Sequence, residues 1–195
     1  QIPFTVFCVG MALERNPAPV IAMRDAGAEI ASHGYRWIDY RAVPKAVERA
    51  HILSSIAAHE THLGERPLGF YQGRTGDHSR ALCVEEGGFV YDADSYSDDL
   101  PYYEQVNGVS HLVVPYTLDT NDMRFASPQG FNSGTQFFDY LKDAFDVLYA
   151  EGETQPKMLS IGLHCRLAGR PARAAALSRF MEYIKQHDRV WCPRR

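Results

Sequence analysis

Apolar residues along this chain gather in short runs separated by stretches of helical period. The runs cover 4–9, 28–32, 68–71, 88–91, 111–116, 158–163 and 189–192. Each is brief, apolar without strict alternation, and bounded by glycine or polar residues, as in a strand covered on both faces. Between them, Val43, Ala46, Val47, Ala50, Leu53 and Ala57 fall on one helical stripe. Phe137, Leu141, Ala144, Phe145 and Leu148 form another, and Ala176, Leu177, Phe180 and Ile184 a third. Pro17 and Gly27 bracket a further helix, following the preference for proline at the start and glycine past the end. Strand and helix in alternation predict an α/β fold with a parallel sheet and right-handed crossovers, open or closed as a barrel. No internal repeat or biased linker interrupts the chain, so 1–195 is expected to form a single domain. The stretches 92–108 and 117–134 are polar and aromatic-rich, and read as long loops covering a site.

Composition removes several classes of function. The chain has 195 residues, 45% hydrophobic and 23% charged, with a net charge of −4. A chain of this size buries about 70% of its extended surface, enough for a core without staples. Aromatic content and balanced charge exclude a disordered chain. There is no basic excess to suit nucleic acid, and no apolar run of the ~18 residues a spanning helix needs, so neither nucleic acid nor membrane is expected as a partner. Cys8, Cys83, Cys165 and Cys192 lie far apart with no Cys-x-x-Cys pair, and Cys8 and Cys192 sit in strand-like runs. That usage suits reduced thiols and a cytoplasmic protein. The chain opens on Gln1 and enters a strand-like run without the layout of a signal peptide. It closes on Arg194-Arg195 directly after an apolar run, and we expect a piece of a longer protein.

Candidate chemistry follows from where the strands end, because in parallel α/β folds the loops after the strands share one rim. The run 28–32 leads to His33, Tyr35, Arg36 and Trp37, and 68–71 leads to Gln72-Gly73-Arg74. The run 88–91 leads to Asp92, Asp94 and Ser95, 111–116 to Asp119, and 158–163 to His164, Cys165 and Arg166. Two histidines, an arginine and several carboxylates converge on one edge. Taken singly, each has an ordinary explanation: Arg74 pairing with Asp77, Trp37 and Tyr35 as packing, the aspartates as a solvated loop. His51, His59, His62, His78 and His187 fall on helices or turns and carry no functional weight. A zinc site of the hydrolase kind commonly takes two histidines one helical turn apart plus a carboxylate. Four residues after His33 stands Trp37, whose indole only donates. That spacing argues against a metal, while His33 with His164 and a distant carboxylate stays open.

The segments 27–40, with Ser32-His33-Gly34-Tyr35-Arg36-Trp37, 91–102, with Tyr91-Asp92-Ala93-Asp94-Ser95, 116–125, and 159–166, with Leu163-His164-Cys165-Arg166, resemble the polysaccharide deacetylase (NodB-homology) family. The resemblance is nearest to its metal-independent allantoinase branch and covers nearly the whole chain. It implies an irregular (β/α) barrel, here lacking its first strand, with the chain truncated at the N-terminus and slightly at the C-terminus. Deacetylases of the family hold a divalent metal with an Asp-His-His set, the histidines coming from a His-x-x-x-His motif. Here His33 matches the first and Trp37 replaces the second, which marks the allantoinase branch and implies no metal and no cofactor. The family's late catalytic histidine matches His164, and its arginine motif corresponds loosely to Gly73-Arg74-Thr75-Gly76. The carboxylate of the set belongs upstream of 4–9.

The implied reaction is hydrolysis of a ring amide of allantoin to allantoate, in purine catabolism. His33 and His164 are then the catalytic pair, one polarising the carbonyl and the other moving the proton. Trp37, Arg74, Asp94 and Ser95 are the substrate-binding candidates. The expected partner is a small cyclic amide, and the full-length protein is expected to be a homo-oligomer. Two other classes compete: a metal-dependent deacetylase acting on chitin or peptidoglycan, against which Trp37 counts, and a non-catalytic remnant or binding partner.

Overall fold

Short strands and longer helices alternate along most of the chain, as the apolar pattern predicts. The structure, a computed structural model, describes residues 2–195. Contacts divide the chain into two units: the first takes the chain up to Ser95 with Pro101–Pro115 and Cys192–Arg195, the second Tyr96–Leu100 and Tyr116–Trp191.

The first unit runs β1 (Thr5–Cys8), α1 (Gly10–Arg15), α2 (Ala18–Asp25), β2 (Glu29–Ser32), α3 (Lys45–Leu63), β3 (Gly69–Phe70), α4 (Ser79–Glu86), β4 (Tyr91–Asp92), β5 (Tyr102–Val106) and β6 (Val109–Val113). The strands form one sheet in the order β1-β2-β3-β4-β6-β5. All neighbours are parallel except β5, which runs antiparallel to β6 at the edge. The α/β class is therefore as expected. Register aligns Cys8, Ser32, Phe70, Asp92 and Val113 in one row across the sheet. The residue after each strand continues the ladder: His33 N–H donates to Cys8 O, Tyr71 N–H to Ser32 O, Ala93 N–H to Phe70 O and Val114 N–H to Asp92 O. His33, Tyr71 and Ala93 thus open the loops at the carboxyl edge. One core of Cys8, Leu13, Val20, Ala28, Ile30, Ala58 and Leu63 packs helices α1 to α3 on the sheet. Another joins Ile52, Ile56, Phe70, Leu82, Cys83 and Phe89.

Several expectations are corrected. Helix α3 forms, but it does not bury the predicted stripe: Val47 and Leu53 are 43% and 52% exposed, and Ala46, Ala50 and Ala57 are exposed too. Its inward face carries Glu48, Ile52, Ser55, Ile56, His59 and Leu63. Those polar groups are tolerated because they find partners: Ser55 Oγ meets Ser32 Oγ at 2.9 Å, His59 Nδ1–H donates to Ser55 O, and Ser79 Oγ donates to Glu48. The stretch 92–108 is not one loop. Asn107 and Gly108 take φ of 52° and 80°, the left-handed pair a tight two-residue hairpin turn requires, and Val106 pairs with Val109 across it. The strand read at 88–91 starts later, at Tyr91, and takes in Asp92, whose charge is neutralised by side chains beside it.

The second unit holds a 3-10 turn (Asp122–Ala126), α5 (Gly134–Glu151), α6 (Cys165–Ala168) and α7 (Pro171–Ile184). Ser133 caps α5 by accepting from Gln136 N–H. The predicted stripes on these helices are the buried ones: Phe137, Leu141 and Phe145 on α5, Ala176, Phe180 and Ile184 on α7. The run 158–163 makes only a single bridge, Gly162 to Asn121, and is half-buried at best outside Gly162. The run 189–192 forms no strand, and Trp191 is 86% exposed. Both runs lack a ladder partner along their length, so apolar composition alone does not make them strands. No disulfide links the cysteines. Burial pushes the Cys8 thiol up to about 11 and also raises the Cys83 thiol well above its ordinary value, which makes them inert core groups. Among the described residues, no helix is long and apolar enough to cross a membrane.

Candidate active site

His33 follows β2 and is held on both sides. Its Nδ1 lies 2.6 Å from Tyr71 O, and since a carbonyl only accepts, Nδ1 carries the proton. The neutral ring then keeps its basic lone pair on Nε2. The imidazole stacks on the Tyr71 ring, centroids 5.1 Å apart and planes 8° off parallel. The turn after His33 is anchored from below: Gly34 N–H donates to Ser32 Oγ, and Gly34 O and Tyr35 O accept from Gly10 and Met11 N–H at the start of α1. The sequence alone could not supply Tyr71 as the group that sets the tautomer.

Asp94 sits in the loop after β4 and accepts two backbone donors of the loop after β3, Gln72 N–H at 2.7 Å and Gly73 N–H at 2.6 Å. Burial pushes its carboxyl up to about 7; the two N–H groups oppose the shift, and the neighbouring Asp92 adds to it. A carboxyl poised there exchanges protons at neutral pH. Ser95 is buried, and its hydroxyl shares a 2.9 Å hydrogen bond with Tyr102 on β5. Beneath Asp94 lies a network that sequence reading passed over. Arg80 of α4 donates to both oxygens of Asp92, to Glu104 and to Asp94 O, and His111 Nε2 reaches Asp92 at 3.1 Å. Burial alone raises the Asp92 carboxyl, but the bonds from His111 and Arg80 outweigh it and hold it below the usual range.

Trp37 and Arg74 come together. The Arg74 guanidinium carbon stands 4.1 Å over the indole, and Trp37 is 57% exposed. Arg74 does not pair with Asp77. One indole face is thereby covered by a cation, so a planar ligand meets the pair rather than a bare ring.

His164 belongs to the second unit, just ahead of α6. Its Nδ1 lies 2.7 Å from Asp122 Oδ1, and Asp122 Oδ2 accepts the N–H groups of His164 and Ala168. Asp122 is fully buried, while the His164 side chain is 50% exposed. A buried carboxylate thus fixes the tautomer of a half-exposed imidazole and leaves Nε2 as its basic nitrogen, the arrangement of an oriented acid–base. Asp119, singled out at this edge, instead binds Arg124 and Tyr140. Asp122 lies three residues on, inside the segment 116–125, and only its 42-residue reach to His164 reveals its role.

One position of the deacetylase metal set does not fit: Trp37 offers only an indole donor, beneath the Arg74 guanidinium, where the set calls for a second imidazole. His33 itself, with Nδ1 on a carbonyl and Nε2 basic, stays compatible with a ligand's role.

Comparison with known proteins adds the family. The family model for polysaccharide deacetylase matches residues 1–86. A Schizosaccharomyces pombe protein bearing a polysaccharide deacetylase name is 41% identical over 210 residues, covering 98% of this chain and 65% of that protein. The crystal structure of PuuE allantoinase matches at a TM-score of 0.96 and 63% identity, over 100% of this chain and 65% of that one. A structure of polysaccharide deacetylase type from Pseudomonas aeruginosa PAO1 matches at a TM-score of 0.95 and 60% identity, over 99% and 65% of the two chains. The chain therefore spans about 65% of the length of these relatives. With motifs, α/β fold and relatives in agreement, the chain belongs to the polysaccharide deacetylase family.

Proposed function

We propose that the full-length protein is a hydrolase that opens a ring amide of allantoin, giving the open-chain carboxylate without a metal. The observation that carries this reading is Trp37, an indole under Arg74 where a second metal-binding imidazole would stand. The likeness to an allantoinase structure over the whole chain supports it. Without a metal, water is not acidified by an ion, and side chains must move its proton. Water adds to the ring carbonyl carbon, the carbon–nitrogen bond breaks, and the ring nitrogen takes a proton while the carbon becomes a carboxylate. His164, oriented by Asp122, takes the proton from water at Nε2 and returns it to the departing nitrogen. His33, its tautomer set by Tyr71 O, binds at the carbonyl through Nε2 when protonated and positions it for attack. Trp37, Arg74, Asp94 and Ser95 hold the rest of the small substrate.

The test is turnover by the full-length protein of allantoin against N-acetylated glucosamine oligomers, before and after exhaustive chelation. Allantoin is expected to be consumed at an unchanged rate after chelation. Loss of activity restored by zinc, or deacetylation in place of ring opening, overturns the proposal. A deacetylase is the second reading, favoured by the names of the sequence relatives.

A further inference from the structure

A cavity of about 400 Å³ opens beside the Trp37–Arg74 pair, lined by Asp39, Arg41, Gly73, Arg74 and Thr75. Its charges do not balance. Arg41 is spent on Asp39, whose carboxylate accepts from the Arg41 backbone N–H and guanidinium. Those bonds, with a smaller contribution from the Arg74 charge, hold the Asp39 carboxyl down at about 2, so it stays anionic at working pH. Arg74 donates no hydrogen bond to any described residue, and its guanidinium lies over the Trp37 indole. One positive charge is left over in the cavity, on a planar donor fork fixed in orientation by the ring beneath it.

Such a fork matches a carboxylate with two parallel N–H bonds, and a neutral cyclic amide uses it less well. We propose that this cavity is a carboxylate subsite, in which Arg74 takes the carboxylate of a ring-opened ureido acid. The inference rests on the ring-opening reading above and deepens it: the site distinguishes product from substrate by charge, and the ring-opened acid is a product inhibitor. Trp37 acts by positioning the guanidinium, and Asp39 by keeping Arg41 occupied.

The experiment uses two probes that differ only at this group, N-carbamoylglycine and its uncharged primary amide. Their affinities for the full-length protein are measured by titration calorimetry at low and high salt. The carboxylate is expected to bind at least tenfold more tightly than the amide, with the preference shrinking in salt. Arg74→Gln is expected to abolish that ratio, and Arg74→Lys to keep part of it. Equal affinities in the unsubstituted protein, or a ratio untouched by Arg74→Gln, overturn the subsite. Failure to turn over allantoin counts against the ring-opening reading alone, because the affinity ratio is read without catalysis.

Discussion

At Asp122 and His164, one buried carboxylate does two things: it orients the imidazole and it satisfies two backbone N–H groups. Asp122→Asn replaces one acceptor oxygen by a donor and favours the wrong tautomer. Turnover is expected to fall roughly 10²–10⁴-fold, the usual range of acid–base help. Because Asp122 is also structural, His164→Gln is the cleaner companion: its side chain is half-exposed, so an unchanged circular dichroism spectrum with a similar loss of kcat is expected. Near-normal turnover in His164→Gln would remove that ring from the chemistry. Gln72 presents the opposite case. Both its amide atoms are buried without a hydrogen-bond partner, and each such group costs roughly 1–3 kcal/mol. Gln72→Met keeps the volume and removes the orphans, so urea unfolding should show a gain of about 1 kcal/mol. A loss of stability there would mean that the amide is paired after all.

Among the elements, α3 shows how much a helix owes to what it packs against. Its nineteen residues end at Gly64, which takes φ of +77° and returns its N–H to Glu60 O. A Cβ at Gly64 would meet nothing within 4 Å, so the cost of Gly64→Ala is purely conformational. Thermal or urea unfolding should register a loss of about 1 kcal/mol; no change would mean the helix ends by other means. The same helix buries Glu48, Ser55 and His59 and exposes Val47 and Leu53, the reverse of what an apolar stripe predicts. Hydrogen-bond partners on β2 and α4 make the polar face the inner one, and those partners lie 23 and 31 residues away. The β5–β6 hairpin is the converse, a local signal: Asn107-Gly108 between alternating residues carries its own turn geometry, and the aromatic, acidic stretch before it masked it as a loop.

For the molecule as a whole, proton uptake links the candidate site to stability. The Asp94 carboxyl stands near 7 in the folded chain against an ordinary 3.8, so the folded state holds this proton more tightly than the unfolded state. Its stabilising contribution is complete below about 3.8 and is lost as pH rises through about 7. The unfolding free energy of the native protein minus that of Asp94→Asn should therefore fall across that window and level off above it. A flat difference would show that Asp94 titrates as an ordinary exposed carboxylate. The Arg80, Asp92 and His111 network under the same loop has no such freedom: removing Arg80 leaves Asp92 buried and charged, and losses of that kind run to roughly 3–5 kcal/mol.

The alternation of apolar runs determined the α/β class, because crossover strands must be covered on both faces, and it determined the stripes of α5 and α7, where burial follows composition. The motifs around His33, Trp37, Asp94 and His164 determined the family, since side chains of those types at strand ends are local facts of the chain. Tertiary structure alone decided which carbonyl fixes His33, which carboxylate fixes His164, that Arg74 lies on Trp37, and which face of α3 turns inward. Each of those is a pairing between residues distant along the chain. The energy of a polar group depends on whether a partner is there to meet it, and no local pattern records that.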